Sequence, residues 1–277
     1  MTALHAKTTG ARRCQDAFQQ IARGCLRSVR QHRATACRGH PEAIHQIRIA
    51  LTRLRAARKF FAAMTRDAVW PKLKIDIRWL NAALGAARDD DVTTACASTV
   101  EDSRLAVKDD TQLAGATARS HRQLATALRS ARCDRLLAGL ARWVDKGPWL
   151  TTTAPAAARR RTRSLADYAP QHLERWQRHL ARKTAHGLGH GRRLHRLRIA
   201  AKRYRYMREA LTAIGLPESR AERRSREAAH SSQHALGELR DLARLRKWQP
   251  AKRAARNYTR QKKRLLHKAT KAFEKFG

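Results

Sequence analysis

His45-Gln-Ile-Arg48-Ile-Ala-Leu-Thr-Arg53-Leu-Arg55 recurs as His195-Arg-Leu-Arg198-Ile-Ala-Ala-Lys-Arg203-Tyr-Arg205, 150 residues further along the chain. A second pair follows in the same order: Leu84-Gly85-Ala-Ala-Arg88-Asp89 and Leu236-Gly237-Glu-Leu-Arg240-Asp241, offset by 152 residues. Two signatures repeated in register point to an internal duplication. On a helix advancing 100° per residue, His45, Arg48, Thr52, Arg55 and Lys59 share a sector of about 80°, while Ile44, Ile47, Leu51, Leu54, Ala57 and Phe61 cover the opposite side. The stretch therefore reads as a helix that packs on one face and carries a rail of charge on the other. In the second copy His195, Arg198, Lys202 and Arg205 form the rail with Tyr206 beside them, and Leu194, Leu197, Ala201, Tyr204 and Leu211 lie behind. Each rail spans about 15 Å at 1.5 Å per residue.

An ordinary exposed helix sets Glu among its Lys and Arg at i+4 to offset repulsion. The first rail has no acid between His45 and Lys59, and the second has none until Glu209. Such faces favour a bound anion: Arg offers a fork of donors to phosphate oxygens, Lys a mobile point charge, and His a donor whose protonation the anion promotes. The whole chain leans the same way. Its 277 residues hold 61 Lys and Arg against 22 Asp and Glu, a formal net charge of +39. Self-repulsion on that scale calls for a polyanionic partner, whether nucleic acid, an anionic membrane surface or inorganic polyphosphate.

With 42% hydrophobic residues there is material for a core, so wholesale disorder is excluded, and only 5% are aromatic. Apolar residues recur at helical spacing nearly everywhere, which makes the class all-α. Breakers predict helices at 11–36, 41–65, 71–87, 90–108, 113–146, 159–185, 192–214, 218–247 and 250–275. Gly147-Pro148 and the Thr151 to Pro155 stretch interrupt two long helical patterns, which gives an N-terminal bundle over 11–146, a linker over 147–158 and a C-terminal bundle over 159–275. Cys14, Cys25, Cys37, Cys96 and Cys133 are odd in number and lack CxxC spacing, as expected of reduced cytoplasmic thiols. No apolar run is long enough for a membrane span and the first residues carry no signal-peptide core, so membrane insertion is not expected.

Arg88 with Asp89, Asp90 and Asp91 forms an acidic cluster in a basic chain, and Asp241 follows Arg240 in the second copy. Magnesium-dependent phosphoryl transfer needs carboxylates of this kind. Capping of a new helix and orientation of arginines are the expected roles instead. His186, His190 and His195 flank a Gly-rich turn without a nearby Cys or carboxylate, so no metal is expected there. Arg159 to Arg161 and Arg163, Arg175 and Arg178 on what reads as the same helix, and the tail from Lys252 through Lys271 are further basic surfaces. The six tryptophans are expected to anchor the core or an interface. No P-loop, HExxH, GxSxG or GxGxxG motif is present, so neither an enzyme nor a cofactor is expected. A sequence-independent nucleic-acid binder is the main rival, although no base-reading helix pattern is evident and aromatics for stacking single strands are few.

The two signatures resemble those of the CHAD family, named for its histidines and its helical content. Its first motif, H-x-x-R-V-x-x-R-R-L-R, is matched by His45, Arg48, Arg53 and Arg55. Its second, H-x-L-R-x-x-x-K-R-L-R-Y-x-x-E, is matched by His195, Arg198, Lys202, Arg203, Arg205, Tyr206 and Glu209. Its L-G-x-x-R-D-x-D-V is matched over Leu84 to Val92, and the likeness extends from about Ala11 to Phe273. The resemblance implies two pseudo-symmetric four-helix bundles around a basic central groove that binds inorganic polyphosphate. The arginines and lysines of both motifs, with Lys59, would make the charge-assisted contacts, His45 and His195 would donate hydrogen bonds, and Tyr206 would position its neighbours. Arg88, Asp89, Glu209 and Asp241 would support them. Thr52 stands where the family usually has a basic residue, so the first half-site is expected to hold phosphate less tightly. An adaptor or polyphosphate-granule protein of the cytoplasm is the function implied.

Overall fold

The absence of strand-like alternation and the abundance of Ala, Leu and Arg leave the backbone one economical way to satisfy its hydrogen bonds. In the computed structural model, which describes residues 12–97, 106–185, 187–188, 191–248 and 252–276, every described element is a helix. They run α1 (Cys14–Cys37), α2 (Pro41–Phe60), α3 (Val69–Ala97), α4 (Ala106–Arg129), α5 (Ala131–Lys146), α6 (Pro148–Thr151), α7 (Pro155–Thr162), α8 (Leu165–Thr184), α9 (Arg192–Ala213), α10 (Arg220–Trp248) and α11 (Lys252–Glu274).

Several boundaries differ from those predicted, each for a local reason. Trp70-Pro71 does not precede α3 but lies in its first turn, where a proline lacks nothing the helix needs. Asp67 starts that helix, its Oδ1 accepting from the backbone N–H of Val69 and Trp70 at 2.9 Å each. Asp89 to Asp91 cap nothing, because α3 runs through them to Ala97. Gly85 was the only residue ahead of them that could have interrupted the helix, at a cost of only about 1 kcal/mol relative to Ala. The predicted helix over 113–146 divides at Ser130, whose hydroxyl accepts from the Cys133 N–H at 3.3 Å and starts α5. The stretch 147–158, read as a linker, carries the short helix α6 and the start of α7. Arg175 and Arg178 do not continue the helix of Arg159 to Arg161, since α7 ends at Thr162 and α8 begins at Leu165. Gly39 ends α1 at φ +84°, and a Cβ there would come within 2.8 Å of His121 Nδ1, so both conformation and space call for glycine.

The chain forms two compact units. One is Arg13–Arg163; the other starts at Ser164 and includes Arg12. The N-terminal unit holds five long helices rather than four, with α1 against α2, α4 and α5, and α3 against α2, α4 and α5. Its core centres on Phe18, whose ring meets Phe61, Trp143 and Trp149 edge-on at 5.8, 5.7 and 5.2 Å. The indoles find partners for their N–H groups: Trp143 donates to Asp67 Oδ2 at 2.7 Å and Trp149 to the Trp143 carbonyl at 2.8 Å. In the C-terminal unit α8, α9, α10 and α11 form a ring in which each helix packs chiefly on its two neighbours, so α9 and α11 stand at diagonal corners. Tyr204, Leu211, Phe273 and Phe276 lie in its core. Among the described residues no helix is long and apolar enough to cross a membrane.

Candidate functional site

The packing stripe read from the first signature is buried throughout: Ile44, Ile47, Leu51, Leu54, Ala57 and Phe61 are all inaccessible on α2 and the turn after it. This fixes the rotation of α2 and turns its rail toward α3. Arg48 lies over the second signature, donating to the carbonyls of Leu84 at 3.2 Å and Gly85 at 3.3 Å, with Asp89 at 3.9 Å. A guanidinium held on helix carbonyls keeps further donors, and the Asp89 carboxylate approaches it from the same helix. Two helical turns on, Arg55 is half-buried with Arg78 of α3 close by. Burial first, and then the charge of Arg78, pull the Arg55 guanidinium below its ordinary pKa. Among the described residues no carboxylate pairs with Arg55, and a bound anion would offset both its burial and the charge of the exposed Arg78. His45 and Thr52 are half-buried on the same helix, and Lys59 is exposed.

Arg53 is not brought to this face. It lies about 160° around the helix from Arg55, on the side of α1, where its charge opposes the burial that pushes the Cys25 thiol up to about 12. Arg203 holds the corresponding place on α9. Arg88 is half-buried on α3.

In the C-terminal unit Leu197, Ala201, Tyr204 and Leu211 are buried, whereas Leu194 is only half-buried. Arg198 passes Gly237 of α10, with one Nη 4.0 Å from where a glycine Cβ would sit. The two signatures therefore meet in both units, Arg48 with Gly85 and Arg198 with Gly237. Arg205 donates to Gln233 Oε1 at 3.0 Å and to Glu209 Oε1 at 2.9 Å. Tyr206 is 2% exposed, and its ring takes the Arg205 guanidinium at 4.4 Å and the Lys202 ammonium at 5.6 Å. The face of the phenol thus gathers two rail cations, a cation–π arrangement. His195 is exposed; Lys202, Arg203, Arg240 and Asp241 are half-buried. His186 and His190 lie outside the described residues, and among those described no group of three metal-ligating side chains occurs.

Sequence reasoning missed two features here. A cavity of about 260 Å3 lies where α8 meets α9, lined by Lys183, Arg193, Arg196 and Leu197. Arg193 is tied to the Lys183 carbonyl at 2.9 Å. Arg208, 1% exposed, pairs with Glu218 at 3.2 Å and Glu222 at 3.1 Å. The signal was present, since Arg208 falls in the same helical stripe as Leu197, Ala201, Tyr204 and Leu211. Of the further basic surfaces, Arg161 is spent on the carbonyls of Trp149 and Thr152, and Arg178 pairs with Glu174.

Among the described residues every element is a helix, and each of the two units sets a cationic helix against a helix that carries Leu-Gly-x-x-Arg-Asp. The CHAD domain model matches residues 20–249, and the chain belongs to that family. The crystal structure of the CHAD domain from the plant Ricinus communis is similar to it, with a TM-score of 0.77 and 26% sequence identity over 99% of this chain and 96% of that one. No curated protein matches the sequence.

Proposed function

We propose that this chain binds inorganic polyphosphate along the rails of α2 and of α9, and serves as a non-enzymatic adaptor or polyphosphate-granule protein of the cytoplasm. The observation that carries the reading is Arg55, half-buried beside Arg78 with no carboxylate among the described residues to balance either. Membership of the CHAD family supports it. A long phosphate polymer supplies regularly spaced anionic oxygens to Arg48 and Arg55 on one unit and to Arg198, Lys202 and Arg205 on the other. His45 and His195 add donors, Tyr206 holds Lys202 and Arg205 in place, and Arg53 and Arg203 contact phosphate only where the polymer reaches the far side of each rail helix.

A sequence-independent nucleic-acid binder is the second reading, favoured by the net charge of +39 alone. A competition titration at about 150 mM salt separates them. Labelled long-chain polyphosphate is displaced by duplex DNA, single-stranded RNA or tripolyphosphate, each matched for total phosphate. Only long polyphosphate is expected to compete well; equal displacement by DNA or RNA overturns the first reading. Arg198→Ala, Lys202→Ala and Arg205→Ala together are expected to weaken polyphosphate binding on the order of 100-fold, from the loss of several charge-assisted contacts, with little change in helicity by circular dichroism. Phosphate release with and without magnesium is expected to stay at background.

A further inference from the structure

The last helix carries charge in a pattern the rails do not account for. On α11, Arg260, Lys263, Arg264, His267, Lys268 and Lys271 are all exposed. At 100° per residue they fall within a sector of about 140°, and Leu265, Ala269, Ala272 and Phe273 are buried on the opposite side. The six side chains extend over about 17 Å of helix. No acid interrupts them until Glu274, and among the described residues Glu238 of α10, 3.9 Å from Lys268, is the carboxylate set against this face. Like charges at i+3 and i+4 repel. The neighbouring helix α10 is built otherwise, with Glu222, Glu227 and Glu238 among its arginines.

The topology of the C-terminal unit separates this face from the α9 rail. α9 and α11 stand at diagonal corners of the four-helix ring, both packed on α8 and α10. A stretch of polymer lying on the α9 rail, which rests on Gln233 and Gly237, thus reaches the α11 face only by crossing α10, where Glu238 stands beside Lys268. Because the apolar side of α11 is committed to the core, the outer face has only charge to offer. That suits an extended polyanion better than a lipid surface, which also takes up apolar side chains.

We infer that the outer face of α11 is a second polyphosphate-binding surface, so that one molecule bridges two polyphosphate strands. The inference rests on the polyphosphate reading above and adds valence to it: a protein with two separate polyanion faces cross-links strands, whereas one with a single face only coats them.

End-biotinylated long-chain polyphosphate is immobilised, loaded with the full chain, washed, and exposed to a second polyphosphate carrying a fluorophore. The wild type is expected to retain the second strand. The variant Arg260→Gln, Lys263→Gln, Arg264→Gln, Lys268→Gln and Lys271→Gln, all at exposed positions and checked by circular dichroism, is expected to load the surface to within twofold of wild type and to retain at least tenfold less of the second strand. Retention equal to wild type overturns the inference, because bridging then runs through self-association or the rails. Failure of this variant to load also overturns it, since α11 would then belong to the primary site. Failure of the wild type to load overturns the polyphosphate reading and bridging with it. Phosphatidylserine vesicles captured in place of the second strand would reassign the face to membranes.

Discussion

Arg208 shows how a single charge is accommodated inside a bundle of this charge. A buried guanidinium is tolerated only when its donors are met, and Arg208 also reaches the carbonyls of Leu216 and Pro217 beside Glu218 and Glu222. Arg208→Ala leaves Glu218 and Glu222 to face each other with less compensation, and is expected to cost about 3–5 kcal/mol in urea unfolding. Arg208→Lys does not rescue it, since an ammonium lacks the fork that serves both carboxylates. The same cluster sets an acid limit. Burial pushes the Glu218 carboxyl up, but hydrogen bonding to Arg226 and the charges of Arg226 and Arg208 outweigh it, leaving the group below its ordinary 4.5. The folded state thus binds its proton less readily than the unfolded chain, so this stabilisation is present above pH 4.5 and is lost as pH falls through the lowered value. Glu218→Gln is expected to lower stability at neutral pH and to flatten its decline in acid; an unchanged acid slope would remove Glu218 as a source of it.

At the scale of the helix, boundaries were decided by side chains that the repeat pattern did not single out. Ser130 separates α4 from α5 through one hydroxyl, and Ser130→Ala is expected to cost about 1 kcal/mol, read as a small fall in thermal midpoint with the polyphosphate affinity unchanged. The apolar stripe of α2 was legible to the residue, because a 3.6-residue period and a buried face are the same fact seen twice. The continuity of α3 was not: three aspartates in a row resemble a cap until His121 is seen 2.7 Å from Asp91 and Arg48 beside Asp89. Those partners come from α4 and α2, so only tertiary packing could bring them there. Likewise the meeting of Arg48 with Gly85 and of Arg198 with Gly237 joins two repeated motifs whose contact no spacing along the chain reveals. Tyr206 was legible as a neighbour of the rail, but its burial and its place under Lys202 and Arg205 required the fold.

For the molecule as a whole, a formal charge of +39 makes polyanion binding almost unavoidable and therefore a poor discriminator on its own. The unfolded chain carries the same charges and also attracts polyphosphate. A ligand stabilises only to the extent that it prefers the folded form, by RT ln(1 + [L]/Kd) less the corresponding gain of the unfolded form. The sign of the thermal shift thus separates a built site from diffuse attraction. If the rails, the Arg55 and Arg78 pair and the Tyr206 platform hold cations at fixed positions, long polyphosphate at 100-fold over its dissociation constant contributes about 2.7 kcal/mol to the folded state. That is a rise of roughly 5–10 °C for a chain of this size. Plain salt acts differently: it screens self-repulsion and raises the midpoint in the absence of ligand, while weakening the polymer by counterion release. The increment due to polyphosphate is therefore expected to shrink as sodium chloride increases, measured by differential scanning calorimetry at fixed polymer concentration. A midpoint that stays level or falls when polyphosphate is added at low salt means the unfolded chain binds it at least as well, and the folded arrangement of the rails then confers no preference of its own.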